Sequence, residues 1–151
     1  RLFIARKKAD AYKVLFSSVK SNEVEEPLLV ITADTIVWLE DEVLGKPANA
    51  TEARVMLSKL SGKKHQVITG VCLTTALWQK SFAAVSEVQF SSLTEEEMDY
   101  YIHNYCPYDK AGAYGVQEWI GFIGVESIQG SYFNVMGLPI QRLYRELKTI
   151  K

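Results

Sequence analysis

Residues 28–35 read Leu-Leu-Val-Ile-Thr-Ala-Asp-Thr, an apolar run that ends in an aspartate and a threonine. The run contains β-branched residues and carries no charge before Asp34, which is typical of a buried strand. An acidic residue directly after such a strand lies where the carboxyl end of a sheet opens to a cleft. There Asp34 would bind Mg²⁺ through a hard oxygen or activate a water molecule as a general base. The alternative is that Asp34 and Thr35 only open a turn.

Further strand patterns follow this run. Residues 36–39 and 42–44 flank a Glu-Asp pair and indicate a hairpin or a tight turn. Residues 65–75 and 82–90 alternate between their two faces, as half-buried strands do. Residues 122–128 predict one more strand.

Helical patterns alternate with these strands. Residues 2–16 place apolar side chains on one face, and capping boxes at residues 49–52 and 94–97 begin two further helices. Pro139 suits the first turn of a final helix. The inward positions of that helix are expected to be Ile140, Leu143, Tyr144 and Leu147. Helices that alternate with four or five strands predict an α/β domain with a mixed, twisted sheet flanked by helices.

The composition excludes several classes of function. The chain has 151 residues, the size of one domain, and its 17 lysines and arginines against 18 aspartates and glutamates give a net charge of −1. A protein that binds a nucleic acid polymer needs a basic excess, so only a small anionic ligand held by a few placed cations stays open. No apolar run is long enough to span a membrane, so no membrane partner is expected.

The cysteines and the first residues give two further expectations. Cys72 and Cys106 form no metal-binding pattern, so we expect two free thiols in a reducing compartment, which indicates the cytoplasm. The chain begins at Arg1, without a methionine, and enters a helical pattern at once. We therefore expect residues 1–151 to be a single domain whose N-terminal segment is missing from this sequence.

Two lysines have positions that suit an anionic ligand. Lys46 follows a glycine that lets the backbone approach closely, and it precedes the rigid Pro47, an arrangement that suits a phosphate. Lys8 lies on the first helix. The alternative for each is a solvated lysine on the surface.

Residues 109–117, Asp-Lys-Ala-Gly-Ala-Tyr-Gly-Val-Gln, fit neither helical nor strand periodicity. Two glycines frame Tyr114, with the charged pair Asp109 and Lys110 before them and the amide of Gln117 after them. A loop shaped for a ligand is therefore expected. The segment matches neither the dinucleotide nor the Walker phosphate motif, so neither mechanism follows from it.

Three more polar residues are candidates for binding. In residues 130–134, Ser131 and Asn134 offer neutral hydrogen bonds, and an ordinary turn is the alternative here and at residues 109–117. His65 would be a cleft residue at the start of a strand, but no partner lies at metal-ligand spacing.

Together these segments resemble the Maf family of nucleoside triphosphate pyrophosphatases. The matching stretches come in the family's order and cover nearly the whole chain. They are residues 5–9, 33–37, 44–47, 56–57 with 60–62, 65–71, 109–117 and 130–139. The family's opening Ser-x-Ser-Pro-Arg-Arg segment, whose arginines contact phosphate, and the acidic metal-binding residue after it do not occur in the sequence.

The resemblance implies hydrolysis of a nucleoside triphosphate between its α and β phosphates, with a divalent metal, in a cleft between two lobes. By position, Asp34 would be the proton acceptor that readies the attacking water, and it would also lie near the metal. Mg²⁺ is the default metal for triphosphates, with Mn²⁺ as the alternative. Lys8, Lys46 and Lys110 would neutralise the triphosphate. The remaining substrate-binding positions are expected to be His65, Asp109, Tyr114, Ser131 and Asn134.

Two residues look like substrate selectors within the family: the residue after the catalytic aspartate and the amide after the glycine-rich loop. Here they are Thr35 and Gln117, which resembles the branch acting on dTTP and UTP rather than the branch acting on 7-methyl-GTP. One carboxamide can donate to a pyrimidine carbonyl oxygen and accept from the adjacent ring N–H. Cytosine presents the opposite pattern, so dCTP should be disfavoured.

Two other functions stay open on the sequence. One is a nucleotide-binding regulator of septum formation or cell division that acts by contact without essential turnover. The other is an enzyme like inosine triphosphate pyrophosphatase, which would select purines. The resemblance also implies a house-cleaning role, the removal of non-standard or excess pyrimidine nucleotides, and it carries a family-level expectation of a homodimer.

Overall fold

The computed structural model describes residues 2–12 and 28–150. The strands are β1 Val30–Leu39, β2 Glu42–Leu44, β3 Lys64–Thr74, β4 Gln79–Phe90 and β5 Val125–Gln129. The α-helices are α1 Leu2–Ala11, α2 Ala50–Leu60, α3 Glu95–Tyr105, α4 Trp119–Gly124, α5 Tyr132–Met136 and α6 Ile140–Lys148. The expected continuation of the first helix to residue 16 lies outside the described residues. No helix in the described ranges is long and apolar enough to cross a membrane.

The strands form one sheet in the order β2-β1-β3-β4-β5, and every pair is antiparallel. The α/β class with flanking helices is confirmed, whereas the strand directions differ from the expected mixed sheet. The reason lies in two short turns. Glu40 and Asp41, with φ values of 47° and 65°, reverse the chain between β1 and β2, and residues 75–78 reverse it between β3 and β4. Connections this short join only antiparallel neighbours.

Strand β1 is longer than the sequence predicts, because its ladder with β3 continues through Asp34 and Thr35 to Trp38. Asp34 therefore lies within the strand, opposite Gly70 of β3, and not after the carboxyl end of the strand as expected. Strand β2 pairs only with residues 37–39 of β1. Among the described strands, none lies beside the edge of β1 at Asp34, and this unpaired edge is where the cleft opens.

Alternate residues of β3 contribute to two hydrophobic clusters on one face of the sheet. Val67 belongs to the larger cluster, which also contains residues of α2, α3 and α4. Val71 and Leu73 belong to the smaller cluster, which contains residues of α6. Thr69, buried and polar, lies between them on the same face. The two clusters correspond to the two expected lobes.

The opposite face of β3 is covered by α1. Ala5 and Ala9 are fully buried and form a small cluster with Cys72. The hydroxyl of Thr32 donates to the carbonyl oxygen of Ala5 at 2.7 Å. Because alanine side chains are small, α1 approaches the sheet closely, and this holds Lys8 beside the edge of β1.

Both predicted N-cap residues cap their helices, although the reciprocal glutamate bond of a full capping box is not formed: Glu52 accepts from the N–H of Ala48 instead of Asn49. The side chain of Asn49 accepts from the backbone N–H of Glu52 at 2.9 Å, and that of Thr94 accepts from the backbone N–H of Glu97 at 3.1 Å. These bonds satisfy N–H groups that the first turn of a helix leaves without partners, which is why the starts of α2 and α3 were predictable.

The region expected to be a strand from residue 122 is helical in its first part. Residues 119–124 form α4, and β5 begins only at Val125. Gly121 permits this helix, because a Cβ atom at Gly121 would overlap the backbone carbonyl oxygen of Val116.

Helix α6 turns only part of its predicted face inward. Leu143 is buried and Leu147 packs beside it in the smaller cluster, whereas Ile140 and Tyr144 are 52% and 60% exposed. Residues four positions apart share a helix face, so these pairs occupy two neighbouring faces. The sheet covers only the face with the two leucines.

Candidate active site

A cleft of about 240 Å³ opens at the unpaired edge of β1. It is lined by residues of α1, β1 and β3, by the loop after β2, by the segment 109–117 and by the end of α5. The sequence-predicted site residues that line it are Lys8, Asp34, Thr35, Lys46, Asp109, Lys110, Tyr114 and Gln117. The fold thus brings together residues that lie far apart in the chain.

Asp34 and Lys8 form an ion pair at the edge of β1. The Nζ atom of Lys8 lies 3.1 Å from Oδ1 of Asp34 and donates also to the carbonyl oxygen of Ala33 at 3.1 Å. The Asp34 side chain is 22% exposed, so its carboxylate is partly withdrawn from water but open to the cleft. A carboxylate in this setting can accept a proton or ligate a cation.

The two loops that carry the other lysines are bonded to each other. The N–H of Gly112 donates to the carbonyl oxygen of Gly45 at 3.0 Å, which joins the loop of Lys46 to that of Lys110. Gly112 has a φ of +71°, and a Cβ atom there would lie 2.9 Å from a methyl carbon of Val37. Only glycine satisfies both requirements, which explains the first glycine of the segment 109–117.

The charged groups of the cleft leave it with a net positive charge. Its lining contains three lysines, Lys8, Lys46 and Lys110, against two aspartates, Asp34 and Asp109. The hydrogen bond from Lys110 Nζ holds the pKa of Asp109 below its usual range, so this carboxylate is ionised at neutral pH. The excess of lysine favours an anion such as a phosphate chain.

Thr35 lies in the floor of the cleft between the two hydrophobic clusters. Its hydroxyl oxygen is 2.9 Å from that of Thr69, its partner across the β1–β3 ladder. The Thr35 hydroxyl also contacts the carbonyl oxygen of Gly137 at 3.3 Å, at the end of α5. Thr35 therefore links the sheet to the α5 side of the cleft.

His65 does not line the cleft, in contrast to the expectation. Its side chain is only 2% exposed, its Nε2 atom lies 2.7 Å from the hydroxyl oxygen of Tyr114, and its ring packs edge-on against Phe90. Burial lowers the pKa of His65 to about 4, so the ring is neutral at physiological pH. In this position His65 supports Tyr114 from behind and offers no group to a ligand in the cleft.

Ser131 and Asn134 also lie outside the cleft lining and stabilise α5 instead. The Ser131 hydroxyl caps the helix by accepting from the backbone N–H of Asn134 at 3.2 Å. The fully buried Asn134 amide donates to the carbonyl oxygen of Val67 at 3.2 Å and to the hydroxyl of Ser86 at 3.0 Å. These bonds attach α5 to β3 and β4, and they position the cleft residues at the end of α5.

Two residues that shape the cleft were not predicted. Tyr101 of α3 bonds to the segment that carries Tyr114, and Glu118 lies beside Lys110. The sequence contains one indication of the role of Tyr101: a tyrosine on the apolar face of a helix needs a hydrogen-bond partner for its hydroxyl. Glu118 gave no signal, because a glutamate next to a turn is ordinary.

The family described as Maf-like protein matches residues 2–150 of the chain. The chain belongs to the Maf family. A protein of Bacteroides fragilis named dTTP/UTP pyrophosphatase is 64% identical over 149 residues, which are 99% of this chain and 73% of the relative.

Two further Maf-family relatives carry the same name. A protein of Phocaeicola vulgatus is 62% identical over 99% of this chain and 73% of its own length. A protein of Porphyromonas gingivalis is 48% identical over 97% of this chain and 71% of its own length.

The donors in this Maf-family cleft fit a hard divalent cation. Mg²⁺ usually takes one or two carboxylates from the protein and completes its octahedron with phosphate oxygens and water. Asp34 and Asp109 are the carboxylates in the lining. Within residues 2–12 and 28–150, no group of three or more His, Cys, Asp or Glu side chains could enclose a metal. This donor set suits a hard divalent cation that completes its coordination with phosphate oxygens and water.

Proposed function

We propose that this chain hydrolyses dTTP and UTP to the nucleoside monophosphate and pyrophosphate, as a house-cleaning enzyme for pyrimidine nucleotides. The observation that carries the proposal is the carboxylate of Asp34 in a cleft lined by three lysines. The names and the high identity of the Maf-family relatives support the same activity.

The lysines supply the charge stabilisation that phosphoanhydride hydrolysis needs. A triphosphate carries several negative charges, and negative charge shifts to the leaving pyrophosphate as the bond between the α and β phosphates breaks. Lys46 and Lys110 lie on two loops joined by the Gly112–Gly45 hydrogen bond, so their positions are coupled. Lys8 approaches from α1.

Asp34 would act on the attacking water. Its carboxylate accepts one proton as the water oxygen bonds to phosphorus, and the pyrophosphate departs on the opposite side with the electron pair of the broken bond. Lys8 donates to both Asp34 and the carbonyl oxygen of Ala33, and these two bonds fix the direction of the lysine at the reacting end of the cleft.

A divalent cation bound at Asp34 would add Lewis-acid stabilisation of the phosphate oxygens. Mg²⁺ is the cation we propose, with Mn²⁺ as a substitute of similar ligand preference.

Base selection would depend on Gln117 at the exposed rim of the cleft and on Thr35 in its floor. A carboxamide can donate to a carbonyl oxygen of uracil or thymine and accept from the neighbouring N–H. Cytosine has an acceptor nitrogen and an amino group at these positions, so a carboxamide held in the orientation that suits uracil would have both of its groups unpaired.

Location and assembly belong to the same proposal. The nucleotide pool acted on would be cytoplasmic, and both cysteines are free thiols, which agrees with a reducing compartment. The homodimer that the family resemblance implies is part of this proposal. Analytical ultracentrifugation would measure the mass in solution.

The decisive experiment measures pyrophosphate release with Mg²⁺ from dTTP, UTP, dCTP, GTP, ITP and 7-methyl-GTP. Release from dTTP and UTP alone is the expected result. Preference for ITP would favour the purine-selective enzyme. Binding of dTTP without release from any nucleotide would favour a regulator that acts by contact.

A further inference from the structure

A buried hydroxyl joins α3 to the segment of the cleft that carries Gln117. The Tyr101 hydroxyl accepts from the backbone N–H of Gly115 at 3.0 Å and donates to Oε1 of Glu118 at 3.1 Å. The N–H of Glu118 in turn donates to the carbonyl oxygen of Gly115 at 3.0 Å. Burial raises the pKa of Tyr101, so its phenol keeps its proton and donates to Glu118 throughout the working pH range.

The carboxylate of Glu118 also faces Lys110. Its Oε1 atom lies 3.5 Å from Lys110 Nζ, and the two side chains are 20% and 26% exposed. The other partner of Lys110 is the carboxylate of its neighbour Asp109, to which Nζ donates at 3.2 Å, but that side chain is 76% exposed. Because an exposed ion pair contributes little order, Glu118 is the partner that fixes the ammonium group.

The second glycine of the segment allows this arrangement. A Cβ atom at Gly115 would overlap Oε1 of Glu118 and would lie 2.7 Å from Cε of Lys110. The two side chains therefore pass directly over Gly115, and any larger residue would separate them. An alanine methyl group at position 115 would have to displace the ends of both side chains.

We propose that Glu118 is a positioning residue: its carboxylate, held by the Tyr101 hydroxyl, directs the ammonium group of Lys110 toward the phosphates of the substrate. This inference rests on the proposed function, which gives Lys110 its role on phosphate. It also explains the presence of a carboxylate at the edge of a site for an anion, where its charge alone would weaken binding.

The variant Glu118→Gln distinguishes a positioning role of the carboxylate from an effect of its negative charge on the anionic substrate. A glutamine keeps the shape and can still accept from Tyr101, but it attracts Lys110 only weakly. If the charge acted only through repulsion, its removal would lower KM for dTTP. Positioning gives the opposite sign: KM rises about fivefold to tenfold while kcat changes less than about twofold, since binding to ground state and transition state is lost together.

A double-mutant cycle with Lys110→Met identifies the route of the effect. If Glu118 acts through Lys110, Glu118→Gln has no further effect on KM when Lys110 is already replaced. Equal effects in both backgrounds would overturn the inference. The control is Glu126→Gln, which removes an exposed carboxylate of β5 outside the cleft lining and should leave KM unchanged.

The same variants distinguish failure of this inference from failure of the proposed function. If the wild-type chain releases pyrophosphate from dTTP but Glu118→Gln lowers KM or leaves it unchanged, only the positioning role is overturned. If the wild-type chain releases no pyrophosphate, the proposed function fails, and the dissociation constant for inorganic triphosphate replaces KM in the cycle. A weaker constant for Glu118→Gln, coupled to Lys110, then supports positioning at an anion site, and an unchanged constant overturns it.

Discussion

The Nε2 atom of His65 lies 2.7 Å from the hydroxyl oxygen of Tyr114, and both side chains are almost fully buried. Strand β3 is thereby bonded to the segment that carries Lys110 and Gln117. Burial raises the pKa of Tyr114 and lowers that of His65 to about 4, so both groups are neutral at physiological pH.

The pKa of His65 predicts a loss of stability in mild acid. Its folded value of about 4 lies below the ordinary 6.5, so between these values the unfolded chain binds a proton that the folded chain does not. Stability is retained above pH 6.5 and falls below it, with a loss of about 2 kcal/mol from His65 between pH 7 and pH 5. Urea denaturation at both pH values would measure it.

The variant His65→Gln should remove that part of the pH dependence. The matched control is His103→Gln, which replaces an exposed histidine of α3 and should keep the wild-type dependence. If His65→Gln and the wild type lost the same free energy of unfolding, another group would be responsible.

Replacing Asp34 with asparagine should lower kcat for dTTP by about 10²-fold to 10⁴-fold, because an amide cannot accept the proton of the attacking water. The fold should persist, since Asp34 is partly exposed and the substitution keeps its shape. Pyrophosphate release and urea denaturation measure the two effects. Asp41→Asn, in the exposed β1–β2 turn, is the control and should retain full activity. An Asp34→Asn enzyme within tenfold of the wild type would exclude Asp34 as the base.

Replacing Gln117 with glutamate should reduce kcat/KM for dTTP and UTP about tenfold relative to the other triphosphates, because a carboxylate cannot donate to the pyrimidine carbonyl oxygen. Competition between nucleotides in one reaction would measure the ranking. Gln141→Glu on α6 adds the same charge at an exposed position and should leave the ranking intact. An unchanged ranking in Gln117→Glu would mean that this side chain does not select the base.

Replacing Gly121 with alanine should lower the free energy of unfolding by about 3 kcal/mol, because the new methyl group would overlap the carbonyl oxygen of Val116 and the backbone must shift. Gly45→Ala is the matched control, since a Cβ atom at Gly45 meets nothing within 4 Å. That variant should change stability by less than about 0.5 kcal/mol. Equal stability of the two variants, measured by urea denaturation, would contradict the close approach at Gly121.

The sequence predicted those features that depend on neighbouring residues. The N-caps at Asn49 and Thr94 were predictable because the cap and the N–H group that it satisfies lie three positions apart. The turn at residues 40–41 was predictable in the same way. The length of β1 was not, since its pairing with β3 carries the strand through Asp34, and a single segment contains no information about its partner.

The residues of the candidate site were likewise predictable only where the information lies in neighbouring residues. Asp34 was predicted from its place after an apolar run and Lys46 from its place between a glycine and a proline, whereas Lys8 and Lys110 were assigned to the triphosphate through the family resemblance. His65 and Asn134 were predicted as ligand-binding residues because they are polar. Both are buried instead, and their side chains make hydrogen bonds within the fold. Whether a polar side chain faces a cleft or the interior depends on packing between distant segments, which local patterns do not contain.

Strand β3 runs without interruption beneath both hydrophobic clusters, with Thr69 between them. Strands β1, β3 and β4 contribute side chains to both clusters, whereas β2 and β5 contribute only to the larger one. Val67 and Val71, only four positions apart on one strand, anchor different clusters, so loss of either cluster frees the strand that the other needs. We therefore expect the regions around the two clusters to unfold together as one cooperative unit, although the cleft divides them.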